Sequence, residues 1–204
     1  MYIGQTRSRR LIAELSAHKF GEMTQPGEWP PKRTPCAADN GAFKVWRAGG
    51  TFNASKFLLH IARILRDGPC PDFVVVPDIP MNGAASLQLS LSWVPKLQGT
   101  IPLYLVVQNG MEPTHISDLL EPFAGIFVGG DVPWKLRTGS AWVRLAHRHG
   151  RRCHIGRVGT AKRVRWARCV GADSIDSCLP LWSAQQLQRF VAALIGVQMD
   201  LTGV

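Results

Sequence analysis

Four apolar runs of this chain each close on a polar side chain, and that pattern limits the folds open to it. Cys36-Ala37-Ala38 ends at Asp39, the run from Phe73 to Pro77 at Asp78, the run from Pro102 to Val107 at Gln108, and Ser174-Ile175 at Asp176. Runs that are apolar at every position, rather than at every second one, are those of strands buried on both faces, as parallel strands are. Between them lie segments with helical periodicity. A helix from about Asn53 to Arg66 carries Phe57, Leu58, Ile61 and Leu65 on one stripe. Ser183 with Gln186 forms a capping box before a helix whose Leu187, Phe190, Val191, Leu194 and Ile195 fall at i, i+3, i+4, i+7 and i+8.

The remaining segments complete the alternation. Strands are predicted at 2–4, up to 39, 73–76, 103–107, 126–128, 153–158 and 174–177. Helices are predicted at 7–20, 81–98, 114–120 capped by Thr114, 140–149 capped by Ser140, and 160–170 started by Thr160, while the Pro- and Gly-rich stretch 21–35 is read as a long loop. Seven or eight βα units argue for α/β with a parallel sheet. The prediction is a single domain over 1–204, folded as a compact (β/α)8 TIM-like barrel trimmed from the usual ~250 residues. A doubly wound open sheet is the alternative. Either way the carboxyl ends of the strands converge, bringing the four polar residues towards one pocket.

Composition narrows the function classes. The chain has 204 residues, 46% of them hydrophobic, enough for one substantial core. No apolar stretch reaches the ~20 residues of a membrane span, and MYIGQTRSRR lacks the apolar region of a secretory signal, so no membrane and a cytoplasmic location are expected. Five cysteines, with no CxC or CxxC pair, argue against disulfides and a structural zinc; Cys153-His154 are adjacent and would point to opposite faces of a strand. No metal and no cofactor are expected. The net charge is +10, and from Lys135 to Ala172 there is no Asp or Glu among the many Lys and Arg. Such a stretch attracts polyanions, although a solvated face is the plain alternative.

The chemistry of the candidates follows from their types. Asp39, in Asp39-Asn40-Gly41-Ala42-Phe43, can accept from ring N–H groups or act as a general base, or it can close an Asx-turn. Asp78, between Pro77 and Pro80, can take an exocyclic amine or cap a helix. Gln108, before Asn109-Gly110, can donate to a purine carbonyl or serve a turn. Asp176 can attack an acetal-like carbon, or be a buried carboxylate satisfied by backbone N–H groups. Gly156 to Thr160 before a helix is a weak phosphate loop. No GxGxxG, P-loop or HExxH motif is present.

Taken in order, these segments resemble the tRNA-guanine transglycosylase superfamily over roughly Asp39 to Pro180. Asp39-Asn40-Gly41-Ala42-Phe43 resembles that family's D-S-G-G-F, and Val107-Gln108-Asn109-Gly110 its V-Q-G-G. The run Gly125 to Asp131 resembles G-G-L-A-V-G-E, Arg157 to Ala161 resembles G-V-G-T-P, and Ile175 to Pro180 is similar to F-D-C-x-x-P with one residue inserted. The family's C-x-C-x-x-C zinc run and its added RNA-binding domain have no counterpart, which makes the chain look more like the phage and bacterial branch that exchanges guanine in DNA for a 7-deazaguanine such as 7-cyano-7-deazaguanine.

The resemblance implies that Asp176 is the nucleophile and Asp39 the base, with a covalent aspartyl-glycosyl intermediate. It implies that Asp78, Gln108, Phe43 and the segment Gly125-Ile126-Phe127 hold the purine, with a main-chain N–H near Ile126 as donor. Lys135, Arg137, Arg157, Lys162 and Arg163 are candidates for phosphate contacts, and Trp134 or Trp46 for stacking on a flanking base. The partners implied are DNA and a 7-deazaguanine base, with a homodimer or a helper protein left open. A tRNA substrate, hydrolytic base excision, a phosphorylated small metabolite and non-catalytic nucleic-acid binding stay open as alternatives.

Overall fold

Eight short parallel strands, each hydrogen-bonded to the next in chain order, wind into a nearly closed (β/α)8 barrel in the computed structural model, which describes residues 1–97, 99 and 101–196. The strands are β1 Tyr2–Ile3, β2 Gly21–Thr24, β3 Cys36–Ala38, β4 Phe73–Val75, β5 Leu103–Val107, β6 Gly125–Val128, β7 Arg152–Ile155 and β8 Ser174–Ile175. The ring closes through a parallel bridge between Tyr2 and Asp176, with the Ser177 N–H donating to the Tyr2 carbonyl at 3.1 Å. The helices are α1 Arg9–Ala17, α2 Ala42–Arg47, α3 Ala54–Asp67, α4 Gly83–Leu97, α5 Val132–Arg148, α6 Ala161–Cys169 and α7 Ala184–Ile195. Position 98, the end of the expected helix 81–98, and positions 197–204 of the expected domain lie outside the described residues.

The barrel is small because two of its connections are abbreviated. Residues 25–35, after β2, carry no helix, and β5 is followed only by the 3₁₀ turns Pro113–His115 and Ser117–Leu119 where a helix over 114–120 is expected. Three further differences have local causes. Residues 21–24 form a strand rather than loop: Glu22 reads as polar punctuation, yet it is 5% exposed and accepts from Gln5 Nε2 at 2.8 Å and Lys32 N at 3.2 Å, with Arg33 Nε 3.5 Å away. Residues 42–47 are helical, directly after the Asp39-Asn40-Gly41 turn. Finally, α5 starts at Asp131, whose carboxylate accepts from Trp134 N at 2.8 Å, rather than at Ser140. Gly139 is accommodated inside that helix because a side chain there would meet the Trp166 ring at 2.8 Å.

Strand parity divides the core into two layers. Ala38, Val74, Leu105, Val107, Ile126, Val128, Cys153 and Ile155 point outward under the helices. Tyr2, Met23, Ala37, Phe73, Val75, Tyr104, Val106 and Phe127 fill the interior. The interior is aromatic: Phe73 stacks on Tyr104 at 4.0 Å, Tyr2 meets Phe73 edge-on at 5.3 Å, and Phe127 stacks on His154 at 4.7 Å. So many rings fit one ring of strands because glycines face them. A Cβ on Gly125 would lie 2.5 Å from the Tyr104 ring and 2.7 Å from the Arg152 carbonyl oxygen. Overpacking of this kind costs about 1–3 kcal/mol. Gly125→Ala should therefore lower Tm by roughly 2–12 °C, at ~2–4 °C per kcal/mol for a chain of this size. Gly159→Ala, where the nearest atom is the flexible end of Arg163 at 3.5 Å, should leave Tm almost unchanged in the same calorimetric comparison.

Among the described residues no helix is long and apolar enough to cross a membrane. The acid-free stretch from Lys135 to Ala172 does not make one continuous face. Helix α5 starts beside the carboxyl end of β6 and finishes just before the amino end of β7, so Arg137 lies towards one end of the barrel and Arg144, Arg148 and Arg152 towards the other.

Candidate active site at the carboxyl end of the barrel

The four polar residues that close the apolar runs meet at the carboxyl ends of the strands, and a chain of short contacts ties Asp176, Gln108 and Asp78 together and ends on Asn40, beside Asp39. Asp176 follows β8 with its side chain on the inner parity, 15% exposed. Its Oδ1 accepts from His154 Nε2 at 3.0 Å and from the Arg157 N–H at 2.9 Å. Arg157 then reaches across the mouth: its guanidinium carbon sits 3.5 Å from the centre of the Phe43 ring, and its Nη2 donates to the Gly130 carbonyl at 2.8 Å. The Gly130 N–H donates to Gln108 Oε1 at 2.7 Å, and Gln108 Nε2 donates to Asp78 Oδ2 at 2.7 Å. The other oxygen of Asp78 accepts from Asn40 Nδ2, also at 2.7 Å.

Local sequence explains each placement. Gly41 takes φ of +73°, which lets the chain turn sharply after β3; Asp39 Oδ1 then accepts from Gly41 N at 2.9 Å and Asn40 Oδ1 from Ala42 N at 2.7 Å. Asp39 thus makes the Asx-turn with one oxygen, and among the described residues no hydrogen bond engages the other. Gly129 leaves room for Gln108 to lie along the mouth, since a Cβ there would sit 2.6 Å from Gln108 Nε2. Gln108 Oε1 also accepts from Met81 N at 3.1 Å, so this amide positions Asp78 and keeps one Nε2 hydrogen for a ligand.

His154 and Asn40 are the site residues that sequence reasoning did not single out. His154 is 0% exposed, on the inner face of β7; its Nδ1 lies 2.8 Å from Ser174 Oγ. Burial keeps its pKa below the ordinary value against the pull of Asp176, and its Nε2 gives a hydrogen bond to that carboxylate. The opposite parity of Cys153 and His154, expected for a strand, would have pointed to it, because the inward residue of the pair must lie beneath whatever closes β8.

Electrostatics separates the two carboxylates expected to do chemistry. Burial opposes ionisation of Asp176, but the hydrogen bond and charge of His154, the Arg157 N–H and nearby Lys135 outweigh it and hold its pKa below the ordinary value. Asp39 goes the other way: burial, reinforced by the charges of Asp176 and Asp78 against the Gly41 hydrogen bond and Arg157, raises it to about 7. Burial also raises Asp78, against its bonds from Asn40 and Gln108. A mouth that keeps one carboxylate charged and a neighbour half-protonated near neutrality can run nucleophilic and acid–base steps together.

Several expected site residues sit elsewhere. Gly125 opens β6 at its amino end, Ile126 is 0% exposed in the outer layer, and Phe127 lies in the interior against His154. This segment is too deep in the barrel to hold a ligand at the mouth; the chain reaches the mouth three to four residues later, at Gly129-Gly130. Lys135 is not on a phosphate-facing surface: it is 5% exposed, donates to the Gly156 carbonyl, and is pulled down to about 7 by burial and by Arg157. Arg157 is folded into the mouth. Arg137 and Lys162 are exposed, and Arg163 is partly buried beside the Thr160 cap of α6. Trp134 is core, 6% exposed and 5.9 Å from Trp142, whereas Trp46 is 45% exposed. Among the described residues no cluster of three or more His, Cys, Asp or Glu could hold a metal. The sequence matches no protein-family model, and a search of curated proteins likewise finds no match.

Proposed function

We propose that this barrel is a base-exchange transglycosylase that replaces guanine in DNA with a 7-deazaguanine through a covalent bond to Asp176. The observation that carries this reading is the paired state of two carboxylates at one mouth: Asp176, ionised with Oδ1 anchored by two donors, and Asp39, half-protonated near neutrality. The resemblance of the surrounding segments to the tRNA-guanine transglycosylase superfamily supports the same assignment. The lack of a C-x-C-x-x-C run favours DNA over tRNA within it.

The target nucleotide leaves the stack and its base enters the mouth. The face of Phe43 now covered by the Arg157 guanidinium is the surface on which a planar base stacks, so base entry exchanges the guanidinium for the purine. Asp78, fixed through both oxygens, accepts from the donor edge of guanine; the spare Nε2 hydrogen of Gln108 faces its carbonyl. Asp176 Oδ2 attacks C1′, the C1′–N9 bond breaks, and the Asp39 carboxyl gives its proton to N9, releasing neutral guanine. The Asp39 carboxylate then takes the N9 proton of the incoming 7-deazaguanine as N9 attacks C1′. The ester bond to Asp176 breaks and the carboxylate is restored. Two inversions retain the configuration at C1′.

The test is duplex DNA labelled in guanine, incubated with 7-cyano-7-deazaguanine. Release of label beyond one equivalent per protein requires the added base, and no abasic sites accumulate. Multiple-turnover release without added base, with abasic sites, would identify a hydrolase, and no release from DNA with any 7-deazaguanine would end the proposal. A pH profile adds a second expectation. A pKa raised to about 7 means that the Asp39 proton persists up to that pH, so single-turnover guanine release should be flat from the acid limb set by Asp176 up to about 7 and fall above it. Asp39→Asn should remove that alkaline limb and cost on the order of 10²–10⁴ in rate.

A further inference from the structure

We propose that the rim of the mouth over β8, β1, β2 and β3 is a stacking track for unpaired bases, so that the protein binds single-stranded DNA in preference to duplex. Of the seven tryptophans, Trp93, Trp134, Trp142 and Trp166 belong to the core or pack against it. The other three are exposed: Trp29 at 69%, Trp46 at 45% and Trp182 at 74%. All three follow strand carboxyl ends, on the connections after β2, β3 and β8, which lie side by side around the barrel with β1 between β8 and β2. Indoles are normally highly buried, so three solvated ones in one sector mark a surface with a partner.

Contacts join the three into one rim. Gly4, beyond β1, lies against Cys178 and Leu181, next to Trp182; Gln5 Nε2 donates to the Trp29 carbonyl at 2.9 Å. Gln25, at the end of β2, shares an open depression of about 350 Å³ with Phe43, Lys44 and Arg47 of α2. Trp46 sits 5.7 Å from Phe43, and Phe43 carries the guanidinium of Arg157, whose backbone N–H donates to Asp176. A line of flat groups thus runs from solvent at Trp46 through Phe43 to the side chain of Arg157, whose backbone holds the candidate nucleophile.

Charge decides the occupant. Arg7, Arg9, Lys44 and Arg47 are exposed on this rim and take part in none of the ion pairs among the described residues. Exposed indoles interleaved with free cations suit a chain that offers π-faces and phosphates alternately, which is an unpaired nucleic acid strand. A duplex presents phosphates but hides its base faces. The choice of DNA rests on the transglycosylase reading; the stacking surface does not.

The experiment uses the Asp176→Asn protein, so that no chemistry intervenes and a failure of base exchange stays separate from a failure of binding. Fluorescence anisotropy at physiological salt compares a short single-stranded oligodeoxynucleotide with the blunt duplex of the same sequence. The single strand should bind at least about tenfold more tightly and quench tryptophan emission. Trp46→Ala and Trp29→Ala should each weaken it by about five- to a hundredfold, Trp46→Phe should retain most of the affinity, and Arg144→Ala at the far end should change nothing. Circular dichroism confirms that these surface variants remain folded. Equal or tighter binding of duplex, or alanine variants that bind like the parent protein, would overturn the proposal. Tighter binding of RNA of the same sequence would overturn its assignment to DNA.

Discussion

Under the proposed mechanism, Asp176→Asn should abolish base exchange and leave the barrel folded. Asparagine keeps the shape of the side chain and a carbonyl oxygen where Oδ1 now accepts from Arg157 N at 2.9 Å and His154 Nε2 at 3.0 Å, so both anchors survive. It has no charge to offer an anomeric carbon. Loss of a covalent nucleophile commonly costs on the order of 10⁴-fold or more, against the 10²–10⁴ of a displaced general acid or base. Asp176→Asn should therefore be clearly the more damaging of the two aspartate changes, with Asp39→Asn behind it. Single-turnover guanine release measures the rates, and intact-protein mass spectrometry gives an independent readout. The parent protein, mixed with DNA and no acceptor base, should accumulate a species heavier by the attached DNA strand, and the variant should not. Exchange within tenfold of the parent would mean that another group attacks C1′.

The barrel was legible because fully apolar strands alternate with helical segments along the chain, and the runs ending at Asp39, Asp78, Gln108 and Asp176 coincide with the carboxyl ends of four strands. What escaped the sequence shares a cause: burial of polar groups that find partners far along the chain. Glu22 sits inside β2 because Gln5, Lys32 and Arg33 surround it, and in isolation a glutamate next to glycine reads as loop. Lys135 follows Trp134 in α5 and reads as a surface cation, yet the carbonyl it meets is Gly156, on another βα unit. The depth of the Gly125 to Asp131 run was also beyond reach. Both ends carry glycine, and only the register of β6 against β5, with Val107 opposite Val128, shows that Gly129-Gly130 and not Gly125-Ile126 arrives at the mouth.

His154→Phe should shift the acid limb of the exchange reaction upward in pH, and this separates a positioning role for the imidazole from simple packing. Phenylalanine preserves a ring against Phe127, where the stacking distance is 4.7 Å, within an interior already lined by Tyr2 and Phe73. It removes the Nε2 donor to Asp176 and the Nδ1 partner of Ser174. Burial, which now loses to the hydrogen bonds around Asp176, then faces one fewer opponent, and the carboxyl becomes easier to protonate. A hydrogen bond to a charged group is worth about 1.5–3 kcal/mol, and each pKa unit corresponds to about 1.36 kcal/mol, so the limb should move up by roughly one to two units. Below that limb the rate falls tenfold per pH unit, because only ionised Asp176 attacks. His154→Gln, which can still reach the carboxylate with an amide N–H, should recover part of the shift. A lower rate with an unmoved acid limb in His154→Phe would show that the imidazole only fills the barrel, and that the low pKa of Asp176 comes from the Arg157 N–H and Lys135 alone.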